Sequence, residues 1–245
     1  MKLLNLAIAL VILSGAFSLI ERRSVWRRER LLDFVYWFFT PTIGRAVTAI
    51  VLFAFVGWTA YRGGAAWFRA QSIPLQAIEV LVASDLIGYA THRLFHREPL
   101  WRIHAIHHSS EALDWLSASR VHPLNEAITR VAQVLPLYLL GFDARVLAGA
   151  VPLLTLYAIF LHANVSWDYG PLRYVIASPR FHRWHHTAEE EGLNKNFAGL
   201  FPWIDLLFGT FYMPPERVPF RFGVAGDRVP ATFLAQLAYP FTNRG

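Results

Sequence analysis

The 245-residue chain contains no cysteine. That absence excludes disulfide staples, zinc ribbons, thiolate nucleophiles and cysteine-held iron–sulfur clusters. Charge is scarce as well: Asp, Glu, Lys and Arg make up 16% of the residues, against about 25% in ordinary soluble domains. Hydrophobic residues make up 55%, and this balance points to lipid as the solvent. Internal repeats and low-complexity linkers are missing too. The formal net charge is +6. The basic residues cluster beside apolar segments and form no stripe with interleaved aromatics, so they speak for membrane orientation and against nucleic acid as a partner.

The apolar runs set the expected architecture. Met1 to Ile20 carries one charge, Lys2, and then a nearly unbroken apolar stretch. A cleavable leader ending at Ala16 is the competing reading. Arg22, Arg23, Arg27, Arg28 and Arg30 follow at once and resist translocation, which favours a retained first span. Leu31–Thr40 is broken at Pro41, and Phe34, Tyr36, Trp37, Phe38 and Phe39 within it read as an interface belt. A second span is expected at Gly44–Tyr61, then a turn at Gly63-Gly64. Pro74 opens a third span, Leu75–Tyr89, which continues as helix through His96. Ala127–Phe142 and Arg145–His162 fall slightly short of the ~20 residues a straight crossing needs, and Pro136 and Pro152 are expected to kink them.

The expected fold is all-α and integral to the membrane, with four to five spanning or partly spanning helices below a cytoplasmic helical cap. Residues 1–70 would form the N-terminal membrane helices and basic loop, 71–215 the catalytic part and 216–245 a tail. Five arginines in residues 21–30 outnumber Arg62 and Arg69 after the second span, which puts the first loop in the cytoplasm. Alternation then delivers every histidine to that same face.

The ten histidines are His92, His96, His104, His107, His108, His122, His162, His182, His185 and His186, and none lies before residue 92 or after 186. His92 and His96 are four apart, and two copies of H-x-x-H-H follow. On a helix, positions i, i+3 and i+4 share a face. Such a triple can converge on one ion or bridge two adjacent ions, and ten nitrogens suffice for two metals. Asp85 and Tyr89 fall on the stripe of His92 and His96, one to two turns earlier, where they suit orientation of an imidazole through its other N–H. Glu189-Glu190-Glu191 reads as a solvated charge run.

Imidazole suits zinc, copper, iron and nickel alike. H-E-x-x-H and E-x-x-H are both absent, which removes zincin proteases and the soluble carboxylate-bridged di-iron bundle. The His96-Arg97-Glu98 match to a mononuclear iron site would leave eight histidines unexplained. A metal-transporting membrane protein would need a polar path through the spans, where Glu79 and Asp85 are the sole acidic candidates. Bis-histidine haem is poorly served by adjacent pairs such as His107-His108.

The motifs Asp85-x-x-x-Tyr89-x-x-His92-Arg93-x-x-His96, His104-x-x-His107-His108-Ser109, Arg120-x-His122-Pro123 and His182-Arg183-x-His185-His186 are recognisable together. With the tail Asn196-Phe197-x-Gly199 and Trp203-x-Asp205-x-x-Phe208-Gly209-Thr210, the chain resembles the fatty acid hydroxylase and sterol desaturase superfamily of membrane di-iron enzymes over residues 70–215. Two features depart from the pattern: Ser166 stands where the family often has a further histidine, and Ala198 lengthens the step from Phe197 to Gly199. The resemblance implies two iron ions held by the ten histidines, with zinc as a substitute in purified protein. Asp85, Tyr89 and Asn196 would be the other site residues. It also implies O2 as co-substrate and hydroxylation or desaturation of a membrane lipid, whether sterol, fatty-acyl, ornithine-lipid or carotenoid. A separate ferredoxin-, rubredoxin- or cytochrome b5-like protein would donate electrons. The location implied is a bacterial inner membrane.

Overall fold

A computed structural model describes residues 3–21, 29–59, 66–226 and 228–242. Arg22, Arg23, Arg27, Arg28, Arg62 and the Gly63-Gly64 turn lie outside the described residues. The helices are α1 (Leu3–Ile20), α2 (Arg30–Thr59), α3 (Ala66–Ala70), α4 (Ile73–Phe95), α5 (Trp101–His108), α6 (Pro123–Leu140), α7 (Ala144–Leu161), α8 (Pro179–His185), α9 (Trp203–Leu207) and α10 (Phe233–Ala238). Among the described residues there is no strand, only an isolated bridge between Thr187 and Phe222. Among the described residues, four helices are long and apolar enough to cross a membrane: α1, α2 over Arg30–Val51, α4 and α7. This is an all-α membrane protein.

Local chemistry explains where the helices begin and end. Pro74 sits in the first turn of α4, where its missing N–H costs nothing. Pro123 does the same for α6, which stops at Gly141 with φ of 103°, a left-handed cap that glycine adopts freely. The Asp143 carboxylate caps α7 by accepting from the Arg145 N–H at 2.7 Å. Pro136 and Pro152 lie inside continuous helices. α6 is not among the four apolar candidates; its Glu126 and Arg130 pair at 2.8 Å, and Arg130 reaches Thr155 of α7 at 2.8 Å.

The stretch expected to break at Pro41 is instead one helix, α2, with Pro41 inside it. Two members of the expected interface belt are interior residues. Trp37 donates through Nε1 to the Leu6 carbonyl at 3.0 Å and meets Trp115 edge-on, while Tyr36 packs edge-on against Phe233 of α10. Aromatic rings bury large areas, and here α1 and α10 cover them before lipid can.

The end of α1, the start of α2, the end of α4, the start of α6 and the end of α7 gather at one end of the bundle. Glu21, just past α1, accepts from the backbone of Trp115 at 3.0 Å and of Asn164 at 2.9 Å. Thr40 of α2 donates to the Val121 carbonyl at 2.7 Å, ahead of α6. At the opposite end, Gln76 near the start of α4 accepts from the Asp143 N–H at 2.8 Å. The gathered end holds α5, α8 and the loops between them.

Arg120 ties that end together. Only 1% of its side chain is exposed, and its guanidinium meets Asp33 at 2.7 Å and Glu29 at 3.1 Å. A cation buried this deeply is stable only while its carboxylate partners remain. Arg120→Met should therefore lower stability by about 3–5 kcal/mol, because it strands the buried Asp33 carboxylate. Thermal unfolding in detergent measures this, and an unchanged midpoint would deny Arg120 its anchoring role.

Candidate metal centre

Nine of the ten histidines form two groups. His92, His96, His104, His108 and His185 offer ring nitrogens that all lie within 4.8 Å of one another, and so do His107, His162, His182 and His186. The groups adjoin: the His108 and His186 rings stack with centroids 4.3 Å apart, and His185 lies 5.2 Å from His186. Each H-x-x-H-H therefore straddles both groups. On α5, His104 and His108 enter the first group and His107 the second. Around α8, His182 and His186 enter the second and His185 the first. The i and i+4 side chains stand nearly in line along a helix, and i+3 is rotated off that line. One short helix can thus serve two adjacent centres.

Hydrogen bonds fix which nitrogen faces inward. Nδ1 of His92 donates to the Phe197 carbonyl at 2.8 Å, that of His185 to Lys195 at 2.8 Å, that of His107 to Arg120 at 3.2 Å and that of His162 to Ala158 at 2.7 Å. Asn125 and Asn194 accept through Oδ1 from His104 at 2.8 Å and His96 at 3.2 Å. A carbonyl oxygen can only accept, so the proton sits on Nδ1 and Nε2 keeps a lone pair.

Those lone pairs crowd together. Nε2 of His92 and His104 are 3.0 Å apart, and Nε2 of His107 and His162 are 3.2 Å apart. With both protons on Nδ1, neither pair can hydrogen-bond, and such contacts are repulsive unless a cation lies between them. Ligands on one ion stand roughly 2.9–3.4 Å apart when each bond is about 2.0–2.1 Å. Nε2 of His96 and of His185 are buried with no hydrogen-bond partner. The donor set fits a pair of transition-metal ions and offers them neutral nitrogen alone.

Burial keeps the rings neutral. It pushes His104, His107, His108, His182, His185 and His186 well below the ordinary value of 6.5. Neutral imidazole is the ligating form.

His122 stands apart from both groups. Its Nδ1 accepts from the Leu124 N–H at 3.1 Å, capping α6, and its Nε2 donates to the Leu237 carbonyl at 3.2 Å. Both nitrogens are used, so the expectation that His122 joins the ligand set gives way to a capping role. Asp85 and Tyr89 also depart from expectation, since neither bonds an imidazole. Asp85 accepts from the amides of Gly199 at 2.8 Å, Leu200 at 3.0 Å and Phe201 at 2.7 Å. The Tyr89 hydroxyl pairs with Thr210 at 3.0 Å and accepts from Arg93 at 3.1 Å. Asn196, in the left-handed region at φ 58°, donates to the carbonyls of Phe181 at 2.9 Å and Tyr212 at 2.7 Å. Asparagine tolerates that conformation. Asp85 and Asn196 thus bond backbone, and Tyr89 bonds side chains.

Asp205 completes that support and was not singled out from the sequence. It accepts from the amides of Phe197 and Ala198, each at 2.8 Å, and from Thr210 at 2.6 Å. Two carboxylates thus hold five successive amides, residues 197–201, and the first residue of that loop presents the carbonyl that orients His92. Asn125 and Asn194 were missed too. The signal available was position: Asp205 lies in a recognised tail motif, and Asn125 follows His122 by three residues. The supposed solvated run is also partly structural, because Glu189 is buried and meets Arg217 at 2.8 Å and the Phe220 N–H at 2.8 Å.

Comparison with known proteins agrees with this arrangement. Residues 77–210 match the fatty acid hydroxylase family. The chain belongs to that family. It is 35% identical over 181 residues to ornithine lipid hydroxylase OlsE of Rhizobium tropici, covering 73% of this chain and 54% of that protein. It is 33% identical over 135 residues to alkylglycerol monooxygenase of Homo sapiens, covering 55% and 30% of the two chains. It is 30% identical over 132 residues to methylsterol monooxygenase 1 of Rattus norvegicus, covering 53% and 44%. The chain thus spans about half the length of these relatives or less. No solved structure matches it.

Two outcomes test the geometry. Asparagine is a good helix cap, so His122→Asn should leave the metal content of purified protein unchanged, whereas His185→Ala should lower it; elemental mass spectrometry per chain reads both. In metal-stripped protein, the depressed histidines take up no proton near pH 6 while their unfolded counterparts do. Stability is therefore full above pH 6.5 and falls as pH drops below it. Thermal unfolding at pH 7.5 and pH 5 should register that loss, and equal midpoints would contradict the buried, neutral assignment.

Proposed function

We propose that the protein is an O2-dependent di-iron oxygenase that hydroxylates or desaturates a C–H bond of a membrane lipid, with hydroxylation of an amino-acid-bearing lipid as the favoured reaction. The observation that carries this reading is the paired nest of nine imidazoles, six of them oriented through Nδ1, at one end of a membrane bundle. Family membership supports the oxidative chemistry. The identity with an ornithine lipid hydroxylase supports the lipid class.

When bound, an iron pair supplies O2 activation and the one-electron steps that break an unactivated C–H bond. The chain supplies the rest. Its Nδ1–H bonds hold the Nε2 atoms inward, and its carboxylates at Asp85 and Asp205 fix the loop behind His92. An all-nitrogen neutral donor set would leave the charge of bound ions uncompensated. Lipid would approach from the membrane side, where α4 and α7 expose apolar residues such as Ile78, Leu153 and Leu156. Electrons come from a separate donor protein of the ferredoxin, rubredoxin or cytochrome b5 type. The arginine bias around the first loop supports a cytoplasmic orientation of the gathered end in a bacterial inner membrane.

The competing readings fit less well. Between His92 and His104, 3.0 Å leaves no room for a porphyrin. A transport path through the spans would need several available acidic groups, but Asp85 is engaged by three amides, which leaves Glu79 alone.

Lipid mass spectrometry of cells with and without the protein should reveal species shifted by about +16 mass units for hydroxylation or −2 for desaturation. The shift should require O2 and vanish in His185→Ala. Persistence of the shift in that variant would rule out the assigned centre.

A further inference from the structure

A cavity of about 250 Å³ opens beside the five-histidine group, with His96, His108 and His185 among its lining residues. Glu98 and Asn194, both exposed, stand at its rim, and Ala225 forms part of its outer wall. None of the four residues of the second group lines it. Pockets for drug-sized ligands measure about 300–1,000 Å³, and this one is smaller. At about 30 Å³ per water, it holds roughly eight waters, enough for a divalent ion with its hydration shell. His96 and His185 also carry the Nε2 atoms that are buried without a partner.

Donor chemistry changes along this path. At the rim, a carboxylate and an amide oxygen suit a hydrated cation. On the inner side, neutral imidazoles suit the same ion once it has shed water. We propose that this cavity is the port through which the metal ion of the five-histidine group is loaded and lost, with Glu98 and Asn194 as transient oxygen ligands. The four-histidine group lies behind it, at most 9% exposed at any member. The two ions therefore exchange at different rates. The port rests on the metal-pair reading and adds an order of exchange to it.

The absence of cysteine makes the test clean. Ala225→Cys introduces a single thiol, and the protein is folded and loaded with iron(II) under argon before that thiol is labelled with a bulky maleimide. Release to excess ferrozine is then followed by absorbance. Unlabelled protein should release its two ions in two phases of equal amplitude. The label should slow the fast phase at least tenfold and leave the slow phase alone. As an independent measurement, Glu98→Gln should slow iron(II) uptake by stripped protein several-fold, with the final metal content unchanged. Single-phase release, or a fast phase indifferent to the label, overturns the port while the metal pair stands. A protein that binds no ion overturns both.

Discussion

The site depends on the placement of a handful of protons. Each orienting carbonyl takes an Nδ1–H from one imidazole, and the Nε2 lone pair is thereby committed to the interior. Lone pairs 3.0–3.2 Å apart, in a place that water solvates poorly, form a preorganised cage for cations. Much of the architecture at the gathered end of the bundle serves to hold those carbonyls still. Arg120 offers one from a loop clamped by its own buried ion pairs, and Phe197 offers another from a loop whose amides are held by Asp85 and Asp205.

This arrangement leaves the interior of the nest to nitrogen. The Asp85 and Asp205 carboxylates are spent on backbone amides, so neutral imidazoles face that interior. Asp85 and Asp205 replace water for five consecutive N–H groups in a loop that would otherwise be unsatisfied in a dry interior. They stiffen the centre without lowering its charge. A cluster of side chains keeps its geometry only on a rigid frame, and the frame here is a polar backbone network closed by buried acids.

The membrane helices and the capping elements divide the work. α4 carries His92 and His96 on its final turns, and His162 follows α7 directly. The short helices α5 and α8 bring the remaining six, and neither could stand alone at eight and seven residues. Packing against the rest of the bundle holds them. The tail also contributes, through Leu237 on His122 and through the Phe220 and Arg221 amides on Glu189, so residues past 215 help close the site.

Composition and periodicity alone determined the solvent, the helical class, the apolar segments and the metal-binding character, because hydropathy and i, i+3, i+4 spacing are local properties. Motif resemblance located the family on the same residues. Tertiary structure decided what those patterns left open. It split each H-x-x-H-H between two groups, removed His122 by engaging both its nitrogens, turned Asp85 from an imidazole partner into a loop anchor and drew Tyr36 and Trp37 inward. The reason is common to all four. A side chain's chemistry is written in its own identity, whereas its partner is chosen by whatever distant backbone the fold brings within 3 Å.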